Sequence, residues 1–174
     1  GANDIIPDAH YGRVVASTVK DVEYQSQKWM NYELEQAQQN RIKRMIGIAS
    51  NEGQDPSDDE YVRSIESLLT NKYGTQIKHF YQEDETSNPT DINAAFNLGA
   101  QWLTYLGHGS GTSWGSTDIT YSVQNIKQIA NQKVAKPIII DVACQNGQMN
   151  KGFFGERMVN ENQKGFLIYR DNAT

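Results

Sequence analysis

A chain of 174 residues is long enough to bury a sizeable core as one domain. Its net charge is −5 with a pI near 5.2, and its 16 Lys and Arg residues are scattered, which leaves no basic footprint for a nucleic acid. No apolar run approaches the roughly 20 residues that span a bilayer, no signal peptide is visible, and a single Cys can form no internal disulfide.

After a loop over residues 3–8, HYGRVVAS (10–17) alternates with β-branched residues and reads as a strand. Thr18 and Asp21 have the spacing of a capping box. Val22, Trp29, Met30, Leu34 and Ala37 then recur at helical spacing to about Gln39, which predicts a helix whose apolar stripe faces the core. RMIGIAS (44–50) is a short apolar strand that runs into Asn51, Glu52 and an acidic loop holding Asp55, Asp58, Asp59 and Glu60. Ser57 and Glu60 form a second capping box. It opens a helix with Tyr61, Val62, Ile65, Leu68 and Leu69 on one apolar face, ending near Asn71 and Gly74.

TQIKHFY (75–81) is the next strand, and His79 within it reads as a structural or surface histidine with no evident partner. A polar loop leads to Asn88 and Pro89, a cap followed by a first-turn proline, with Ile92, Ala95 and Phe96 directed inward. The strand WLTYL (102–106), a loop over 107–120 and a helix over 122–130 precede the strand PIIIDVAC (137–144). The tail repeats the rhythm with a helix over 153–160 and a strand GFLIY (165–169). About six strands with short helices between them predict an α/β domain with a mainly parallel sheet covered on both faces, and function in such sheets gathers at the carboxyl ends of the strands.

Three chemically capable residues follow predicted strand ends: Glu52, His108 and Cys144. His108 and Cys144 are 36 positions apart, about what a loop, a helix and the next strand consume, so both can sit side by side at one sheet edge. The plain alternative is a glycine-rich loop beside an inert core thiol. The turn GHGSGTSWG (107–115) fails as a dinucleotide loop, because Thr112 stands where the third glycine is needed. It matches G-x-S-x-G around Ser113, but a serine nucleophile elbow needs Ser at a strand tip and a His later in the chain, and no His follows position 108. The remaining reading is a Cys144 thiolate attacking an acyl carbon. Backbone N–H groups near Gly109 and Cys144 hold the oxyanion, and His108 protonates the leaving amine. No cofactor and no metal site are expected.

The same residues resemble a known family. His-Gly after an apolar strand, then Ala-Cys at the end of the next, is similar to the cysteine peptidases of the caspase fold, above all the gingipains. IIPDAHYGRVVAS, GHGSGTSW and GFFGERMV each resemble a gingipain motif, and Ala143 stands where that family carries an additional Cys. The resemblance implies a caspase-like three-layer αβα domain that cleaves protein or peptide substrates through His108 and Cys144, with Glu52 orienting the histidine. It also implies cleavage after Arg or Lys, received by an acidic group for which Asp58 and Asp59 are the leading candidates and Asp141 the alternative, with Trp114 lining the pocket. Residues 1–174 would form a single catalytic subdomain of a larger bacterial peptidase, secreted or held at the cell surface.

Overall fold

The computed structural model describes residues 14–38, 43–53, 55–83, 86–130, 136–148, 158 and 166–170. Helix α1 (Val19–Gln38) is followed by β1 (Arg44–Ala49), α2 (Asp58–Tyr73), β2 (Gln76–Tyr81), α3 (Pro89–Leu98) and β3 (Trp102–Leu106). A two-residue hairpin, β4 (Ser113–Trp114) and β5 (Tyr121–Ser122), leads to α4 (Val123–Lys127), then β6 (Ile138–Val142) and β7 (Phe166–Arg170). The main sheet has five strands in the order β2-β1-β3-β6-β7, all parallel.

The sheet separates two apolar layers. Ile46, Ile48, Leu103, Tyr105 and Ile139 pack with Ile92, Ala95 and Phe96 of α3 and Ile126 of α4. On the other face Met45, Ala49, Tyr81 and Val62 of α2 form a second cluster, with Leu69, Trp102 and Leu106 packed against it. Because β1 and β3 are covered on both faces, they read as continuous apolar runs rather than alternating ones. Both predicted caps of α2 and α3 are present: Ser57 N–H donates to Glu60 at 2.7 Å, and Asn88 Oδ1 accepts from Thr90 and Asp91. Thr18 N–H likewise donates to Asp21 at 2.7 Å, and α2 ends on Gly74 in the left-handed region (φ 66°).

Several expectations are corrected. Val14, Val15, Ala16 and Ser17 belong to no strand, and residues 10–13 of HYGRVVAS lie outside the described residues; among the described residues the main sheet has five strands. The α1 stripe does not face the core. Val22, Trp29, Met30 and Leu34 are exposed, whereas Gln25 and Lys28 are buried. The polar ends of those two reach carbonyl oxygens, Gln25 that of Val15 at 2.7 Å and Lys28 that of Met158 at 3.3 Å, so the inward face is a polar one whose groups are satisfied. The side chain of Ala37 lies outside the described residues.

In α2 the inward positions are Val62, Glu66 and Leu69, and Tyr61, Ile65 and Leu68 face out. Burial raises the Glu66 carboxyl above the usual carboxylate range, an effect that Tyr81, His79 and Arg63 partly offset. His79 therefore does have a partner: its Nδ1 lies 3.8 Å from Glu66, and its ring stacks on Tyr81. The predicted helix over 122–130 is the shorter α4, and of the helix over 153–160 only Met158 is described, buried in the core. No helix among the described residues is long and apolar enough to cross a membrane.

Candidate active site

Strand register determines where the site forms. Ala49 of β1 pairs with Leu106 of β3, and Leu106 pairs with Val142 of β6, so three neighbouring strands end level with one another. The bonds continue one residue further, Ser50 N–H to Leu106 O at 3.0 Å and Gly107 N–H to Val142 O at 3.2 Å. His108 and Cys144 each come two residues after these partners, and Glu52 three residues after Ala49. The carboxyl edge of the sheet thus gathers all three, as expected for ligands of open α/β sheets. Two cavities among the described residues, about 270 and 460 Å³, lie near the amino ends of β1 and β3 and are remote from this edge.

His108 is held firmly by its backbone. Its N–H donates to Ser116 Oγ at 2.8 Å, and its carbonyl accepts from Tyr105 Oη at 2.5 Å and from Gly115 N–H at 2.9 Å. Tyr105 is buried and stacks on Trp114, which stacks on Tyr121, so an aromatic column supports the loop from beneath. The imidazole stands in solvent, its side chain 69% exposed, with Nε2 2.6 Å from Glu52 Oε2. A carboxylate only accepts, so Nε2 carries the proton and Nδ1 is left to exchange one.

The Cys144 side chain is exposed. Beyond β6 the chain turns sharply, with Gln145 in the left-handed region (φ 63°) and Asn146 N–H bonded back to the Cys144 carbonyl at 2.8 Å. This turn abuts the histidine loop at Gly109. A β-carbon there would overlap the Cys144 carbonyl oxygen and sit 2.9 Å from both Ala143 Cβ and Asn146 Cγ. Gly109 faces Trp114 in an isolated antiparallel bridge whose flanking bonds are made by His108, Gly115, Ser110 and Ser113. In that geometry the N–H of Gly109 points away from Trp114.

The expected pocket residues divide. Asp58 accepts from Ser50 Oγ, and its N–H donates to the Glu52 carbonyl at 2.9 Å, so the start of α2 is tied to the edge of the sheet. Asp59 accepts from Ser57 Oγ at 2.6 Å and Arg63 Nε at 3.1 Å; the serine bond, with Arg63 helping and burial opposing, holds its carboxyl below the usual range. Asp141 and Trp114 do not line an open pocket: Asp141 is 1% exposed, Trp114 is fully buried, and the Trp114 indole donates to Asp141 at 2.9 Å. The alternation of β6 explains this, since Asp141 shares its face with buried Ile139. Ser113 is buried within β4 and bonded to Ser110 Oγ at 2.8 Å, which is not the exposed strand-to-helix tip that a serine nucleophile requires.

Three framing residues escaped the sequence reading: Tyr105, Ser116 and Asn146. Tyr105 looked like one more apolar residue of β3, and Asn146 precedes Gly147, a pair that ordinarily marks a solvent-facing turn. Among the described residues no group of three or more His, Cys, Asp or Glu side chains is placed to hold a metal ion.

An α/β domain with a central parallel sheet, bearing a thiol and an imidazole at adjacent strand ends, has the architecture of the caspase-like fold. The chain is similar in structure to the crystal structure of the Arg-specific cysteine proteinase gingipain R, with a TM-score of 0.76 at 28% identity, covering 94% of this chain and 41% of that one. A complex of the pro- and mature domains of Porphyromonas gingivalis RgpB gives a TM-score of 0.79 at 29% identity, covering 95% of this chain and 41% of that one. In sequence the chain is 30% identical to gingipain R2 of Porphyromonas gingivalis over 94% of its own length and 23% of that protein's. It is 32% identical to gingipain R1 of the same species over 83% of its length and 15% of that protein's. The profile of peptidase family C25 matches residues 1–170, and the chain belongs to that family.

Proposed function

We propose that this chain carries the Cys-His site of a cysteine endopeptidase that cleaves after Arg or Lys. The observation that supports it most is the level ending of β1, β3 and β6, which brings an exposed thiol, a Glu-tethered imidazole and a glycine backbone to one edge. In this reading the Cys144 thiolate attacks the scissile carbonyl carbon. The oxyanion accepts hydrogen bonds from the N–H groups of Gly109 and Cys144, and His108 Nδ1, holding the proton that the Cys144 thiol has released, gives it to the amine as the C–N bond breaks. Water, deprotonated by the same nitrogen, then attacks the thioester, releasing the acid and restoring the thiol. Glu52 fixes the tautomer and orientation of the ring.

Asp58 and Asp59 are the proposed receptors for the basic side chain. A carboxylate at the base of a pocket pairs with Arg by two charge-assisted bonds, which discriminates strongly against neutral residues. That the solved gingipain R is an Arg-specific cysteine proteinase supports a basic residue before the scissile bond. Because the chain spans less than a quarter of the length of the gingipains it matches, we include in the proposal that residues 1–174 act as one subdomain of a larger, exported peptidase. A fluorogenic peptide panel varied only at the residue before the scissile bond is the test. Cleavage after Arg and Lys, lost on alkylation of Cys144, is expected. Preference for Asp or Asn would overturn the selectivity, and fluorophosphonate labelling of Ser113 with an unreactive Cys144 would overturn the thiol mechanism.

A further inference from the structure

Beneath the two loops lies a polar network that the proposed chemistry does not use. Asn146 is completely buried, and each end of its amide is engaged. Its Oδ1 accepts from Gly111 N–H at 3.1 Å, across from the cysteine turn to the histidine loop. Its Nδ2 donates to Asp141, 3.2 Å from Oδ2 and 3.5 Å from Oδ1, on the strand that ends in Cys144. Asp141 in turn accepts from the indole of Trp114, the residue that pairs with Gly109. Asn146 and Asp141 together therefore join β6, the Cys144 turn and both arms of the histidine loop.

We propose that Asn146, anchored by Asp141, is a positioning residue that clamps the Cys144 turn to the His108 loop and so sets the relative placement of nucleophile and imidazole. The inference builds on the assignment of these two as the dyad, but the clamp itself is a physical contact that can be read separately. Three features of the geometry make it a clamp and not ordinary core packing. The bonds run between two loops that are otherwise joined mainly by the close approach at Gly109. The turn they restrain holds Gln145 in the left-handed region, a conformation that persists only where surrounding contacts hold it. The acceptor at its base is a carboxylate in a dry site, where hydrogen bonds to a charged group are stronger and leaving a partner unpaired is costly. Tyr105, which pairs with Asp141 in the strand register, has its hydroxyl pushed up to about 12 mainly by burial and in part by the Asp141 charge.

The test uses Asn146→Ala and Asn146→Asp in the full chain. Three readouts are kcat and KM on an arginyl peptide amide, the pH profile of kcat, and amide hydrogen exchange at Gly111 against Leu103 in β3. For Asn146→Ala the clamp predicts a kcat lower by about 10- to 100-fold, the scale of a misplacement near 1 Å, with KM within about threefold. Gly111 exchange should accelerate at least about tenfold while Leu103 is unchanged, because only the local bond is lost. In Asn146→Asp two carboxylates face each other, so one proton must be shared, and kcat should recover toward acid pH. Unaltered kcat and Gly111 exchange in Asn146→Ala would overturn the clamp. So would equal acceleration at Gly111 and Leu103, which would make Asn146 a global stability residue only. Should the larger peptidase that contains this chain cleave nothing while Gly111 exchange responds as predicted, the clamp stands and the peptidase assignment falls.

Discussion

Replacing Gly109 with Ala tests how closely the two halves of the site are pressed together. The added β-carbon would overlap the Cys144 carbonyl oxygen and lie 2.9 Å from Ala143 Cβ and Asn146 Cγ. Carbon atoms pack best at about 3.5–4.0 Å, so the loops must separate by roughly 1 Å. None of these neighbours is the tip of a flexible side chain: two belong to the strand end, and the third is held at both ends of its amide. The backbone must move, and overpacking of this kind costs about 1–3 kcal/mol. A 1 Å change in the approach of imidazole to thiol should lower kcat/KM by about 100-fold. The assay pairs a thermal unfolding midpoint with kcat/KM on an arginyl amide, using Gly74→Ala as control. Gly74 has φ 66° with open space around its missing β-carbon, so alanine there strains only the end of α2, far from the edge that matters. Gly109→Ala with kcat/KM within threefold of the parent would refute the claimed juxtaposition.

Cys144→Ala removes one sulfur from an exposed position, so we expect stability within about 1 kcal/mol and peptide cleavage lower by several orders of magnitude, measured by urea unfolding and turnover. His108→Ala should abolish turnover yet leave iodoacetamide alkylation of the thiol, since the imidazole is assigned to the leaving amine; alkylation that collapses as steeply as turnover would assign it to thiol activation instead. Asp141 governs a pH dependence of stability. Burial, opposed by the bonds from Trp114 and Asn146, pushes its carboxyl up to about 6 from 3.8, so the native state holds the proton more tightly than the unfolded chain. Its contribution is therefore greatest below about pH 4 and is lost as pH rises through about 6, by about 3 kcal/mol for a shift near two units. Asp141→Asn, followed by urea unfolding at pH 4 and pH 7, should remove that part of the pH slope.

Legibility in the sequence followed the strength of local signals. The β1, β3 and β6 segments are short, mainly apolar runs bounded by turn residues, and Ser57, Asn88, Pro89 and Gly74 mark helix ends by mechanisms that need no tertiary context. Position along the chain also placed Glu52, His108 and Cys144 at one edge, because parallel strands joined by helices must end together. What could not be read was which of several apolar stripes is inward. Helix α1 offers Val22, Trp29, Met30 and Leu34, yet Gln25 and Lys28 face the interior because carbonyl oxygens of Val15 and Met158 are there to receive them. Asp141 shows the same limit at the site. Three positions before the thiol it passes for a pocket acid, and only the pleat, which turns it beneath the Trp114 indole, makes it a buried anchor.

The site divides its labour between a buried frame and an exposed tip, and the division predicts how perturbations separate. The tether between His108 and Glu52 is open, with side chains 69% and 54% exposed, and such pairs add only about 0–1 kcal/mol to stability. It can orient a ring without anchoring the loop, and salt screens it at a Debye length near 8 Å. The bonds that Tyr105, Ser116 and Asn146 make to backbone atoms are neutral and partly or wholly buried, so salt touches them little. Changes at Glu52 should therefore alter turnover while leaving unfolding nearly untouched, and changes at Tyr105 or Asn146 should alter both.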